Sequence, residues 1–314
     1  MGKNQPDIFE VDYKDRQRLA PFALSLSKMF SSEYEESVFS FIYDQPGAVA
    51  GKIYYMPFRL RWQAFLYNSE RIAEVPADMN AFGALCKDHP GGFGLALSDD
   101  DVLVKFMLST IWAFNGNEFD LDNERTKQAL YFFSSLSSCL SSFSSNYDAE
   151  SLANALARGE VDFAFAEMST TRKLWESGSY PYPVAGNAFP GVGSIAFSGT
   201  YLGINKDTRK ANESYALGFY LTEPKTCERV IENGLWLCGL PGLEKPNLPP
   251  ARVDLFKPYL SSALRLRPVP PGVDFSSLAQ IYRELFTRIV LKSEQVELVS
   301  AELSLKLKQL APAH

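Results

Sequence analysis

Two arginines, Arg59 and Arg61, stand two residues apart in the stretch Met56-Pro57-Phe58-Arg59-Leu60-Arg61-Trp62. On an extended chain, residues two apart share a face, so their guanidiniums form one row. Such a row suits a carboxylate, a phosphate or paired sugar hydroxyls, each of which a planar fork holds through parallel hydrogen bonds. The bland alternative is that both sit in solvent or pair with local acids. Trp62 alternates with them and is expected in the core. Tyr13 closes an apolar run and falls at a strand's carboxyl end, where ligands gather in open α/β sheets. Asp100 and Asp101 could accept hydrogen bonds from hydroxyls, but they also suit the N-terminus of the helix that follows. Cys86 and His89 lie three apart, which raises a thiol nucleophile beside a base. Against that, Cys86 sits in an apolar helical pattern and Pro90-Gly91 gives His89 a turn setting.

These residues depend on an alternation of strands and helices. Pro6–Tyr13 reads as a strand buried on both faces, as in a parallel sheet. Leu19–Ser27 and Glu33–Tyr43 read as helical pieces. Gly51–Pro57 is predicted to be a strand ended by proline, with Leu60–Asn68 a second strand. A helix follows Val75-Pro76-Ala77-Asp78, His89-Pro90-Gly91-Gly92 breaks it, and Phe93–Leu97 is a short strand. Val102–Phe114 is a strong helix behind an aspartate cluster. Ser134–Ser145 looks low in complexity, yet Phe133, Leu136, Leu140 and Phe143 recur at helical spacing, so the serines are predicted to form the wet face of a helix. Asp148–Arg158 is a helix ended by Gly159, and Val161–Ala166 a buried strand. Gly193–Pro224 reads as a strand, a turn at Ser198-Gly199, a second strand ending at Gly203-Ile204-Asn205, and a helix through Tyr220. Beyond it, 227–233 reads as helical, 241–250 as irregular, 253–260 as helical and 265–271 as extended. Two helices, Phe275–Val290 and Ser293–Leu310, close the chain. The class is α/β.

The bulk properties narrow the function. With 314 residues there is room for two lobes. A net charge of −6 and the lack of any Lys/Arg run argue against a nucleic-acid partner. No stretch approaches a membrane span, and no signal peptide opens the sequence, where a leader or lipid anchor could have been removed. Cys86, Cys139, Cys227 and Cys238 show no metal-ligand spacing, and with only His89 and His314 beside them neither a metal nor another cofactor is expected. Cys227 and Cys238 could close a small loop in an oxidising compartment; buried free thiols are the commoner arrangement.

Several local patterns point one way together. Pro6-Asp7-Ile8-Phe9 opens the chain. Gly51-Lys52-Ile53-Tyr54-Tyr55-Met56-Pro57 precedes Leu66-Tyr67-Asn68. Ala157-Arg158-Gly159-Glu160-Val161-Asp162-Phe163 enters a strand. Gly203-Ile204-Asn205 precedes Tyr220-Leu221-Thr222, and Ile281–Lys292 lies in a long helix. In order and spacing these resemble the extracellular solute-binding proteins of ABC importers, family 1, the maltose-binding-protein-like branch, over nearly the whole chain. One departure is large. The family has a strand, a helix and another strand before its Pro-Asp strand, whereas here that motif begins at residue six, so a first lobe short of its first two strands is expected.

The resemblance implies a two-lobed periplasmic-binding-protein-like fold of type II, each lobe a mixed or mostly parallel sheet flanked by helices. Lobe I would comprise 1–58 and 199–262 and lobe II 59–198 and 263–314, with hinge segments near 57–62, 197–201 and 265–271. It implies a non-catalytic monomer in the periplasm or outside the cell. The protein would capture a sugar, oligosaccharide or anionic sugar derivative and deliver it to permease subunits. It also implies ligand-facing positions at Phe58, Arg59, Arg61, Phe197 and Tyr201. Arg61 falls where sugar-binding relatives carry an acid. Ser169 falls where they carry a stacking tryptophan, which puts stacking from that point in doubt. Trp236 lies where relatives return toward the cleft and is set to stack on a pyranose or to be buried. Tyr282 matches an aromatic position of the last long helix, facing ligand or core. A derivative that keeps the fold and has lost its ligand, serving sensing or protein interaction, is the competing reading.

Overall fold

The apolar run that opens the sequence forms a strand in the computed structural model, which describes residues 6–29, 47–167, 184–187, 190, 194–223, 226, 265–270 and 273–311. In chain order the strands are β1 (Ile8–Asp12), β2 (Ala48–Val49), β3 (Lys52–Ile53), β4 (Tyr55–Asn68), β5 (Phe93–Leu95), β6 (Phe163–Glu167), β7 (Val184–Asn187), β8 (Ser194–Ile204) and β9 (Arg265–Pro268). The α-helices are α1 (Arg16–Leu19), α2 (Met79–Asp88), α3 (Asp100–Ala113), α4 (Glu124–Ser135), α5 (Ala149–Ala157), α6 (Ala211–Thr222), α7 (Phe275–Phe286) and α8 (Val296–Lys308). The chain divides into two compact units. Unit 1 is Met1–Arg61, Phe197–Pro249 and Arg265–Pro268; unit 2 is Trp62–Ala196, Pro250–Leu264 and Val269–His314. The predicted pieces at 33–43, 227–233, 241–250 and 253–260 lie outside the described residues.

In unit 1, β1 pairs antiparallel with β8, Ile8 opposite Ile204 and Asp12 opposite Thr200. This corrects the expectation of a doubly buried strand. Val11 is buried on one face while Glu10 on the other is exposed, a one-sided pattern that antiparallel sheets permit. Two predicted breaks are also absent. Pro57 is taken into β4, because its fixed φ is compatible with extended chain. β8 runs through Ser198-Gly199 without a turn. Glycine is needed there for close approach: a Cβ on Gly199 would lie 2.1 Å from the Arg59 carbonyl oxygen of the neighbouring strand. The hairpin of β2 and β3 turns at Ala50 and Gly51, both with positive φ (49° and 74°), as a two-residue type I′ turn requires. Leu26, Ile53, Met56, Leu202 and Ile204 form the core of this unit, with Tyr215 and Leu221 of α6 packed on it. The helix predicted over Leu19–Ser27 is reduced to α1 and a 3-10 turn at Ala20–Phe22.

Unit 2 is built around a mixed set of strands. The second half of β4 pairs antiparallel with β6 and β7, and β5 pairs parallel with β6. Phe65, Phe82, Phe93, Phe106, Phe163 and Phe165 are all buried and pack ring to ring. Aspartates cap three helices: Asp78 accepts from the Ala81 amide, Asp99 from the Asp101 amide and Asp148 from the Ser151 amide, so within the aspartate cluster the cap of α3 is Asp99, with Asp100 and Asp101 in the first turn. The serine-rich stretch is a correction. α4 stops at Ser135 and gives way to 3-10 turns at Leu136–Ser138 and Ser144–Asn146. Ser135, Ser137 and Ser138 donate their hydroxyls to the carbonyls of Phe132, Ser134 and Ser135, the local competition by which serine ends helices. Phe143, expected on the apolar face, is exposed. Likewise α7 ends at Phe286 in a π turn over Thr287–Leu291.

The cysteines are a further correction. Cys86 of α2 is bonded to Cys139, with the Cα atoms 5.0 Å apart. Both fully buried sulfurs are therefore half-cystines and not free thiols. Cys227 and Cys238, the pair considered from sequence, lie outside the described residues. Among the described residues, no helix is long and apolar enough to cross a membrane.

Candidate functional site

Unit 1 assembles most of the predicted site. β1, β8 and β4 lie side by side in that order, and their alternating side chains meet across the sheet. Arg61 Nη2 lies 3.2 Å from Asp12 Oδ2, and Arg59 Nη1 3.5 Å from Glu10 Oε1. Thr200 of β8 donates its hydroxyl to the same Glu10 carboxylate. The Arg59 guanidinium lies 4.9 Å from the centre of the Phe58 ring. The two arginines do share a face, as their spacing predicts, and Leu60 and Trp62 between and beside them are buried. All four charged side chains are only partly exposed, between 33 and 43%. The result is a charge-balanced ladder in which guanidinium donors and carboxylate acceptors alternate. Sugar hydroxyls both donate and accept, so a row of mixed sense can satisfy them without a net charge to neutralise.

Behind the ladder, Tyr13 is buried and its amide donates to the Gly199 carbonyl at 2.9 Å. Tyr201 and Phe197 are also buried, with the Arg16 guanidinium 5.6 Å from the Tyr201 ring centre. These three support the strands that carry the ladder. Sequence reasoning missed Glu10 and Asp12. Their spacing was the available signal, since two acids two apart on β1 match two arginines two apart on β4.

Unit 2 holds the remaining candidates elsewhere. Asp100 is bound by Arg283, whose Nε donates at 2.8 Å and whose Nη1 reaches the Leu97 carbonyl at 2.6 Å. That ties α7 to the start of α3. Tyr282 is fully buried and donates its hydroxyl to the Glu118 carbonyl at 3.0 Å, so its ring is core. Ser169 and Trp236 lie outside the described residues. The Cys86–His89 pair is overturned as a nucleophilic site, because the Cys86 sulfur is bonded to Cys139. His89 turns its Nδ1 to Asp162 at 2.9 Å, and Asp162 also pairs with Arg71.

One polar cluster had no counterpart in the sequence reading. Lys105, the one cation of α3, is completely buried. Its Nζ lies 3.0 Å from Asp101 Oδ2 and contacts Glu167 at the end of β6. Burial alone would pull the lysine pKa down, but the two carboxylates outweigh it and hold the pKa above its ordinary value. Glu167 is the last residue of β6 and the last described residue before Ser169, so the cluster anchors the end of that strand.

Residues 11–239 match the family described as bacterial extracellular solute-binding protein. The chain belongs to this family. The sequence resemblance to solute-binding proteins is thereby borne out, and the two-unit α/β architecture agrees with solved folds. Maltose-bound MalE3 from T. maritima superposes with a TM-score of 0.77 at 19% identity, covering 98% of this chain and 85% of that one. The sugar-binding protein MalE from Xanthomonas citri gives 0.79 at 15%, covering 98% and 84%. UgpB from Mycobacterium tuberculosis in complex with glycerophosphocholine gives 0.74 at 16%, again covering 98% and 84%. At such identities the likeness is one of fold. None of the curated proteins matches the chain.

Proposed function

We propose that this solute-binding protein serves an ABC importer, capturing a sugar, oligosaccharide or anionic sugar derivative and delivering it to the permease. The observation that carries the reading is the ladder of Arg59, Arg61, Glu10 and Asp12, whose alternating donors and acceptors match polyol chemistry. Relatives in fold lend support: T. maritima MalE3 holds maltose, and M. tuberculosis UgpB holds glycerophosphocholine, a polyol phosphate ester. The Cys86–Cys139 disulfide favours an oxidising compartment, in keeping with the family's extracellular setting. In this reading the two lobes close on the solute by bending near 57–62, 197–201 and 265–271. The chain passes between the two units at Arg61-Trp62, Ala196-Phe197, Pro249-Pro250, Leu264-Arg265 and Pro268-Val269. Closure would exclude water and strengthen each polar contact to the ligand.

Arg61→Ala is expected to weaken solute binding tenfold or more, the loss of roughly one charge-assisted hydrogen bond. It should leave the fold intact, because a half-exposed ion pair such as Arg61–Asp12 contributes at most about 1 kcal/mol. Titration calorimetry on the wild type and the variant reads the effect, and equal affinities would remove Arg61 from the site.

A further inference from the structure

A groove of about 690 Å³ lies wholly within unit 2, between α2, the end of α3 and α4. That volume suits a small organic ligand. Its apolar surface comes from Met79, Phe114 and Phe132, and its charged groups are Lys87 and Arg125; no carboxylate lines it. Both cations are exposed, and among the described residues neither side chain has an ion pair or hydrogen bond.

Two local choices here work against the fold. Arg125 is the second residue of α4, so its positive charge sits at the positive end of the helix dipole, where an acid would be favoured. Gly83 lies in the middle of α2, where glycine is a poorer helix former than anything but proline. Gly83 is not required by close approach: a Cβ there would meet only a Phe132 ring carbon, at 3.9 Å. Its evident effect is to keep the groove open. Unfavourable choices without a structural return mark a site, and these two converge with an unpaired lysine on one cavity.

We propose that this groove binds a small anion with an apolar body, an aryl or alkyl phosphate or carboxylate. The acid group pairs with Lys87 and Arg125 while the body lies on Phe132, Phe114 and Met79. The site is separate from the Arg59–Arg61 ladder and does not depend on the solute assignment.

The test uses 8-anilinonaphthalene-1-sulfonate as a fluorescent anionic aryl probe on the full chain. The wild type is expected to bind it saturably. Lys87→Gln with Arg125→Gln should weaken binding about tenfold or more, since two charge-assisted contacts are lost. Gly83→Leu should abolish binding by filling the groove while keeping or raising the unfolding temperature, which shows that the fold survives. Phenyl phosphate should displace the probe, and inorganic phosphate at equal concentration should not. N-phenyl-1-naphthylamine, of similar shape without the charge, should bind about tenfold more weakly. Probe binding that both variants leave unchanged would overturn the proposal, as would equal binding of the uncharged analogue. Solute affinity by calorimetry should be the same in both variants, so loss of this site is distinguishable from failure of the solute reading.

Discussion

Lys105→Met is expected to destabilise unit 2 by about 3–5 kcal/mol, the cost of stripping the cation from a buried pair. Lys105 is fully buried against Asp101 and Glu167, so its removal strands two carboxylates. Asp101 still has the start of α3 beside it, whereas Glu167 at the end of β6 has less recourse to water. The second substitution Glu167→Leu in the same chain should recover most of the loss, because an apolar replacement of a whole buried pair is nearly neutral. Urea unfolding of the wild type, the single and the double variant separates these cases. The single variant's deficit should shrink as pH falls through the carboxylate range, where the stranded acids take up protons. In the wild type the sign runs the other way on the alkaline side. The lysine pKa is raised in the fold, so the cluster's contribution is present throughout neutral pH and is lost only as strongly alkaline solution removes that proton. Equal unfolding midpoints for wild type and Lys105→Met would show that the cluster contributes no net stability.

Replacing Cys86 and Cys139 together by serine should cost about 4 kcal/mol. The bond closes a loop with a sequence separation of 53, and chain entropy for a loop of that length gives this magnitude. It joins α2 to the turn beyond α4, across the cluster that contains Phe82 and Phe93. Thermal unfolding of the wild type in reductant should fall to the midpoint of the double variant, and the variant itself should ignore reductant. A wild type unaffected by reduction under conditions that cleave the bond would contradict this. The same bond explains why Cys86 cannot serve as a nucleophile.

The sequence was legible where the signal was local. Asp78, Asp99 and Asp148 sit in front of apolar helical runs, the local mark of a helix start, and each caps the helix behind it. The row formed by Arg59 and Arg61 followed from a spacing of two on an extended chain. What escaped was set by partners far along the chain. Asp12 lies 49 residues from Arg61, and Cys139 lies 53 from Cys86, so no local pattern joins either pair. Pro57 and Gly199 carry the local marks of a break, yet pairing between β4 and β8 overrides them, and Gly199 is there for the approach of the Arg59 carbonyl. Lys105 was hidden because an apolar helical run gives no hint that its one cation is buried between acids from its own helix and from a strand. The serine-rich stretch had the right apolar period, but its hydroxyls found backbone carbonyls and ended the helix early.

The central claim is that the protein binds a polyol solute through unit 1. Its most direct test is titration of the full chain with neutral sugars and oligosaccharides, sugar phosphates and amino sugars, followed by intrinsic fluorescence and confirmed by calorimetry. The account predicts saturable one-to-one binding of at least one of these classes, weakened tenfold or more by Arg61→Ala. A folded protein that responds to none of them would contradict it and would favour a family member that has given up its ligand for another role.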